Sequence, residues 1–500
     1  MLEMFGGAFL QIMNIPIMLL CLLGTVLGIF FGAAPGMTSS MGIALVLPIT
    51  YGMSMEYGMA LILGIYIGSI SGSLITAILI NIPGTPASVA TTFDGYPMAL
   101  RGEGGRAVRV AILYSFLGGI VSLMVLFFIS PVLAKWALKF GPVEYFSIAV
   151  FSLTLIASLS GDSIIKGVLS ALLGVMFTTV GMAPVDSVFR YTFGFHELDA
   201  GVQLLPVLVG VFAITEIIKA AEDRASGSMK LLNYKSKGLG VSWKEFKDQF
   251  RNFMVSAGIG TGIGTLPGLG AAISNLVAYS ISRDSSKHPE KYGTGIIDGL
   301  VASETANNAV SGGALIPLLT MGIPGDAGTA MMLAAFMLHG ITPGPLLFTT
   351  HGKLIYAMFA ILFVANIMMF ALQMYGLPFF LKLLKIPKNI LFPIIIVLAS
   401  VGAFAMNNRV FDIWSILFFG LVGYGLYKFK FPSAPLVLGF VLGNLLEINF
   451  RRGAMSTYGN FGAFFTQPIS GTVFALTVLF IAYNIYNSIQ KYKKNKTSEV

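Results

Sequence analysis

Of 500 residues, only 11% are Asp, Glu, Lys or Arg, under half the roughly 25% of an average soluble protein. With 56% hydrophobic residues and a mean hydropathy of +0.83, a water-facing globule is excluded. The single cysteine, Cys21, excludes an intramolecular disulfide and a cysteine metal cluster, and His196, His288, His339 and His351 form no metal pair. The net charge of +9 is carried by basic loops between apolar runs, the positive-inside signature. No aromatic-basic motif accompanies it, so membrane lipid rather than nucleic acid is the expected surrounding.

Uncharged stretches at 4–55, 57–93, 252–282, 354–381 and 453–490 exceed what one bilayer crossing needs. The alternation of a membrane barrel is missing, so the expected fold class is an all-α polytopic membrane protein. Before the first run stands Glu3 and no basic residue, unlike a cleaved signal peptide, so a helix over Ile15 to Phe31 should stay in the mature chain. Further apolar segments follow near 38–50, 57–81, 110–134, 145–160, 164–182, 202–218, 252–281, 299–322, 327–338, 354–381, 389–406, 411–427, 432–446 and 465–489. Some are short or broken by Gly-Pro, which predicts about 10–13 transmembrane helices and leaves the rest as half-helices or re-entrant segments.

Lys219 to Arg251 is a polar connector with Lys219, Arg224, Lys230, Lys235, Lys237, Lys244, Lys247 and Arg251 against four acids. It divides the chain into a first repeat over 1–218, a basic cytoplasmic connector over 219–251 and a second repeat over 252–406. Additional helices over 407–490 and a basic cytoplasmic tail over 491–500 complete the expected organisation.

The repeat is legible in two anchors. A displacement of 232 residues lays Gly28, Gly32, Pro35 and Gly36 on Gly260, Gly264, Pro267 and Gly268. A displacement of 241 lays Gly72 on Gly313 and Ile82-Pro83-Gly84 on Ile323-Pro324-Gly325, the extra residues falling in Arg283 to Lys291. Equivalent loops carry opposite charge bias. The loop after Pro35-Gly36 has no basic residue, whereas that after Pro267-Gly268 has Arg283, Lys287 and Lys291. Conversely, Arg101, Arg106 and Arg109 follow Pro83-Gly84, whereas only Lys353 follows Pro324-Gly325. Opposite bias means opposite sides of the membrane, so the copies form two inverted-topology repeats with broken helices meeting near the midplane.

Proline removes a backbone donor and glycine permits unusual dihedrals, so each Ile-Pro-Gly site should break its helix. A broken helix leaves unpaired N–H groups at one end, suited to carboxylates, and carbonyls at the other, suited to Na⁺. The candidate substrate-binding residues are therefore Pro35, Gly36, Thr38, Ser39, Asn81, Pro83, Gly84, Thr85, Ser88, Pro267, Gly268, Gly270, Ser274, Asn275, Pro324 and Gly325. Glycines at four-residue spacing, Gly28, Gly32 and Gly36 with Gly64, Gly68 and Gly72, read instead as helix-packing seams. Glu304, Asn307 and Asn308 place a carboxylate and two amides in an apolar helix, and with Asp326 and Thr329 form the candidate cation-coupling set. Glu304 also reads as a helix-end charge near the interface, and Asp326 as a helix N-cap.

Together, the Pro35-Gly36 segment, Asn81-Ile82-Pro83-Gly84-Thr85-Pro86-Ala87-Ser88 leading to Asp94-Gly95-Tyr96-Pro97, Ala302-Ser303-Glu304-Thr305-Ala306-Asn307-Asn308-Ala309, Gly322-Ile323-Pro324-Gly325 and Pro343-Gly344-Pro345 resemble the large permease subunit of the tripartite tricarboxylate transporter family. The resemblance implies a permease of the bacterial inner membrane that works with a small transmembrane subunit and a periplasmic solute-binding protein. It also implies uptake of a tri- or dicarboxylate such as citrate, driven by Na⁺ or H⁺, with no cofactor. No phosphate-loop motif for nucleotide hydrolysis is present. Glu304, Asp326 and the asparagines allow either ion. An intramembrane protease using Asp94 and Asp326 is the enzymatic rival, disfavoured by the basic loop beside Asp94. Ser71 has no histidine partner on a plausible neighbouring helix. A passive organic-anion channel, or an exporter of the same fold, is the alternative within transport.

Overall fold

The architecture follows from where prolines, glycines and caps interrupt the apolar runs, as seen in a computed structural model describing residues 2–159, 163–222, 238–384 and 388–498. Helix α1 (Leu2–Ile12) precedes the first expected helix, and α2 (Ile15–Ala33) begins at Asn14, whose side chain accepts from the Ile17 amide. α3 (Ser39–Thr50) starts at Thr38, whose hydroxyl accepts from Met41 N–H. α4 (Met55–Gly72) and α5 (Leu74–Ile80) run into the first Ile-Pro-Gly break. Beyond it lie α6 (Val89–Met98) and α7 (Gly104–Ala137). α8 (Pro142–Leu159) and α9 (Ile164–Thr178) precede a short antiparallel hairpin that the sequence reading did not anticipate, β1 (Gly181–Met182) and β2 (Phe189–Arg190), with Gly181 opposite Arg190. α10 (Leu204–Val209) and α11 (Thr215–Glu222) are joined by one wide helical turn.

Half of the connector's basic residues, Arg224, Lys230, Lys235 and Lys237, lie outside the described residues. Its last third is helical, because Ser242 and Glu245 form a reciprocal capping box that starts α12 (Trp243–Gly264). The Ser242 amide and hydroxyl hold the Glu245 carboxyl below the usual range. The expected break at Pro267-Gly268 separates α12 from α13 (Gly270–Asp284). α14 (Ile297–Met321) ends at the second Ile-Pro-Gly break, followed by α15 (Ala327–Leu338) and the short α16 (Leu347–Thr350). Then come α17 (Gly352–Leu383), α18 (Lys388–Asn407), α19 (Val410–Lys428), α20 (Ser433–Ser456), the short α21 (Ala463–Thr466) and α22 (Pro468–Ser498).

The chain is thus an all-α polytopic membrane protein. Among the described residues seven helical spans are long and apolar enough to cross a membrane, and six further apolar helices have 10–17 residues. The seven spans with the six shorter apolar helices accord with the expected all-α polytopic fold, and the breaks keep α3 and α15 to 12 residues each. In α12 and α14, polar side chains dilute the apolar character.

Two compact units emerge, Met1–Ala137 with Leu205–Tyr424 and Leu138–Leu204 with Gly425–Val500. Segments expected in the first repeat (145–160 and 164–182) thereby share a unit with the C-terminal helices. In that second unit α9 and α20 mesh reciprocally: a Cβ on Gly174 would strike the Leu436 carbonyl, and one on Gly439 the Ala171 carbonyl. Arg190 binds Glu447 through two hydrogen bonds of 2.7 and 3.0 Å.

The first unit contains the repeat, and its contacts recur with the copies exchanged. Gly28 and Gly32 in α2 lie against the carbonyls of Ile65 and Ser69 in α4; their equivalents Gly260 and Gly264 in α12 lie against Ala306 and Val310 in α14. Gly72 approaches the Ile29 carbonyl as Gly313 approaches that of Thr261. Each of these pairs obeys the two displacements of 232 and 241 residues. The seam reading of Gly28, Gly32, Gly64, Gly68 and Gly72 therefore holds, while Gly36 belongs to a break. Loops meet across copies too. Asp94 lies at Gly299, and Arg101 donates to the carbonyls of Thr294 and Gly295, so the loop after the first copy's second break meets the loop after the second copy's first. Reciprocally, Gly58 lies beside His339. Contacts exchanged in this way define a pseudo-two-fold relation.

The seam yields a sharp contrast within one helix. A Cβ on Gly260 would come within 2.5 Å of the Ala306 carbonyl, whereas Gly258 and Gly262 have nothing within 4 Å. Alanine at Gly258 or Gly262 should raise stability by up to about 1 kcal/mol, the helix-interior penalty of glycine. Gly260→Ala should lower it, the comparison being read by thermal unfolding in detergent.

Candidate functional site

Both Ile-Pro-Gly helices end in the same way. α5 closes on Asn81 in the left-handed region (φ 57°), and α14 closes on its equivalent Gly322 (φ 73°). Ile82 N–H then returns to the Thr76 carbonyl, as Ile323 N–H does to the equivalent Pro317 carbonyl. Gly84 sits against the Gly32 carbonyl at the end of α2, and Gly325 lies 2.7 Å, measured from an added Cβ, from the Gly264 carbonyl at the end of α12. Each Ile-Pro-Gly break is therefore seated beside the Pro-Gly break of its own copy. Gly36 and Gly268 both have positive φ, 83° and 80°.

The two pairs differ in chemistry. At the second, the Gly268 amide donates to the Gly325 carbonyl at 2.7 Å, and Ile323, Pro324 and Gly325 are buried. Asp326 caps α15: its carboxylate accepts from the Thr329 amide at 2.7 Å, and its own amide donates to the Thr329 hydroxyl at 2.8 Å. The remaining Asp326 oxygen accepts from Tyr66 Oη at 2.9 Å. At the first pair, Gly36, Asn81 and Ile82 are exposed. Ser88 donates locally to the Thr85 carbonyl at 3.1 Å and, as the N-cap residue of α6, gives it no side-chain cap.

A polar chain joins the two copies behind the first break. Asn275 Oδ1 accepts from the Ala90 amide at 2.8 Å, covering one of the orphan donors that start α6. Its Nδ2 donates to the Ser303 carbonyl at 3.2 Å and reaches Thr91 Oγ1 at 3.5 Å. Thr91 donates to Glu304 Oε1, and Ser115 donates to Glu304 Oε2 at 2.8 Å. Glu304, with no exposed surface, is therefore central rather than a helix-end charge. Among the described residues no basic side chain forms an ion pair with it. A carboxylate so buried is costly unless a cation or a proton accompanies it.

The remaining candidates divide. Asn307 Nδ2 donates to the Ile70 carbonyl at 3.3 Å, linking α14 to α4, whereas Asn308 returns to its own helix at the Glu304 carbonyl. Ser274 donates to the Ala306 carbonyl and so ties α13 to α14. Thr38 is the N-cap of α3 and contacts Ser40. Ser39 and Gly270 face the second break, beside Gly328 and Asp326 respectively. Pro35 and Pro267 stand in the turns immediately before Gly36 and Gly268.

Sequence reasoning missed Tyr66 and Ser115. Tyr66 occupies the position equivalent to Asn307 in the repeat, a signal that was available. Ser115 is one hydroxyl in an apolar run and carried none. Asp94 proves to be a loop latch: it accepts from Tyr279 Oη and from the amides of Gly293, Gly295 and Ile296. Ser71 donates to Gln373 and is not set beside a base.

A multi-pass helical membrane protein, with paired helix breaks around a buried polar chain, is the class these features define. Residues 18–438 match the model of the tripartite tricarboxylate transporter TctA family, and the chain belongs to that family. An Agrobacterium vitis protein described as an uncharacterized 52.8 kDa protein in the TAR-I ttuC' 3'region is 36% identical over 479 residues, covering 95% of this chain and 94% of its own length. A second uncharacterized protein of that organism, in the TAR-II ttuC' 3'region, is 37% identical over 231 residues, 46% of this chain and 96% of its own.

Proposed function

We propose that the chain is the large permease subunit of a binding-protein-dependent, three-component carrier that takes up a small tri- or dicarboxylate, such as citrate, across the bacterial inner membrane by cation symport. Family membership supports the transport class. The observation that carries the mechanism is the asymmetry of the paired breaks: the first is exposed at Gly36, Asn81 and Ile82 and receives no side-chain cap from its own segment, while the second is sealed by Asp326, Thr329 and Gly268.

A carboxylate is attracted to free N–H groups at a half-helix start. The start of α15 already holds its own carboxylate, so the anion is assigned to the first pair, among Gly36, Pro83, Gly84, Thr85 and the amides opening α6. Glu304, three hydrogen-bonding steps from the Ala90 amide through Asn275 and Thr91, is placed to sense the charge there. A small transmembrane subunit and a periplasmic binding protein would complete the system, the binding protein delivering the anion. The two aspartates of the protease rival are engaged in capping and latching, which favours transport over hydrolysis.

Vesicles containing this chain with its two partners, supplied with radiolabelled carboxylate on the binding protein, should concentrate the anion above the outside level when a Na⁺ or H⁺ gradient is imposed. A passive channel only equilibrates, so uptake that stops at equality would overturn the symport reading.

A further inference from the structure

The second compact unit contains none of the residues assigned above to substrate or ion, yet it holds an apolar groove of about 1020 Å³. Four helices wall it, with Val150 and Leu153 from α8, Val168 and Leu172 from α9, Leu446 from α20 and Ile481 from α22. It follows α9 from Ile165 to Thr179, about 20 Å at the rise of an α-helix. That length covers the depth of one leaflet, roughly 15 Å of a ~30 Å hydrocarbon core.

Most polar groups on the wall are spent on their own helices. Thr154 donates to the Val150 carbonyl, Thr178 to that of Val175, Thr179 to that of Met176 and Asn484 to that of Phe480. Arg190 is the exception. Two of its guanidinium N–H groups bind Glu447, a carboxylate already shared with Arg451 at 3.0 Å. Arg190 Nε is buried and has no hydrogen-bond partner among the described residues. An unmet donor on a cation withdrawn from water is costly, so the groove calls for an acceptor at this end and apolar matter along the rest.

The Arg190 end also has the character of a membrane surface. Glu447 and Arg451 stand in the second half of α20, a helix long and apolar enough to cross a bilayer. Around Arg190, at the end of the hairpin, the chain exposes Phe189, Tyr191, Phe193 and Phe195, as aromatic side chains are at headgroup level. A phospholipid presents the matching order, a phosphate at the interface and an acyl chain below it. Arginine suits phosphate through directional, charge-assisted hydrogen bonds. A transmembrane helix of another protein would cover the apolar wall and leave Nε unmet.

We propose that this groove is a phospholipid site, with one acyl chain lying along α9 and the phosphate accepting from Arg190. The lipid completes the polar end of the second unit and fills the space between its helices.

Native mass spectrometry of the delipidated full chain in detergent, titrated with phosphatidylglycerol, tests the assignment. The first lipid should bind at least about tenfold more tightly than later ones, and Arg190→Gln should remove that advantage, as loss of a hydrogen bond to a charged group does. Leu172, 56% exposed, tolerates a larger side chain. Leu172→Trp should fill the groove and abolish the first binding event while later, weaker lipids bind as before. Diacylglycerol, with the same chains and no phosphate, should bind wild-type protein as weakly as phosphatidylglycerol binds Arg190→Gln. If Arg190→Gln fails to fold because Glu447 loses its partner, Leu172→Trp and diacylglycerol carry the comparison. A first lipid no tighter than the later ones, or unaffected by Leu172→Trp in folded protein, would overturn the site. Equal affinity for diacylglycerol would overturn the role of Arg190. A dimer, or a complex with the co-expressed small membrane subunit, that Leu172→Trp dissolves while lipid binding is unchanged would give the groove to a protein instead.

Discussion

Glu304→Gln is expected to abolish gradient-driven carboxylate uptake while the protein remains folded in the membrane at normal levels. The separation follows from the local bonding. Thr91 donates to one carboxylate oxygen and Ser115 to the other. Glutamine keeps an acceptor for one hydroxyl, and the other can rotate to accept from the new amide. Packing is therefore preserved and only the charge is lost. Glu304→Leu removes both acceptors and strands two buried hydroxyls at about 1–3 kcal/mol each. That variant should lose stability as well as transport, so the pair distinguishes charge from scaffolding.

The expected signature of Glu304→Gln is more specific than inactivity. A group that balances a coupling cation is needed whenever the carrier must load or release that cation to do net work. Exchange of labelled for unlabelled carboxylate across the same vesicle membrane requires no such net step. Exchange should therefore survive at a measurable rate when net uptake has fallen to the background of empty vesicles. Unchanged net uptake in Glu304→Gln would show that the carboxylate serves only to position Thr91 and Ser115.

The repeat was legible because it rests on glycines and prolines, whose placement is dictated by backbone geometry. The four-residue glycine seams, the two Ile-Pro-Gly breaks and the two Pro-Gly breaks all fall where those residues stand. Side-chain chemistry was less legible, because it breaks the symmetry. Position 63, equivalent to Glu304, is Leu, and position 43, equivalent to Asn275, is Ile. The polar chain is therefore confined to one side of the pseudo-two-fold relation, and neither repetition nor hydropathy reveals its partners in α6 and α7. Asp326 illustrates the ambiguity. Cation ligand and N-cap demand the same residue type in the same place, and only the bonds to Thr329 and Tyr66 distinguish them. The start of α12 inside a basic connector was obscured by charge, although Ser242 and Glu245 already have capping-box spacing.

Alanine at Gly84 should have the second large effect, and it tests whether the first break is where the substrate sits. An added Cβ would collide with the Gly32 carbonyl and stand 3.0 Å from the Ser73 Cα and from Thr76 Oγ1. Two of these neighbours are backbone atoms in meshed helices, so the break must shift rather than a side chain rotate. Overpacking of this kind costs about 1–3 kcal/mol, which a large helical unit withstands while its site is displaced. Gly325→Ala meets the Ala314 Cα at 2.6 Å and the Gly264 carbonyl at 2.7 Å, a comparable steric burden at the sealed break. The two substitutions thus impose similar strain on equivalent positions with different assigned roles. Gly84→Ala should weaken carboxylate binding and uptake more than Gly325→Ala does, after both are normalised to folded protein in the membrane. Equal binding losses would place the anion symmetrically between the two breaks, and a larger loss in Gly325→Ala would move it to the second.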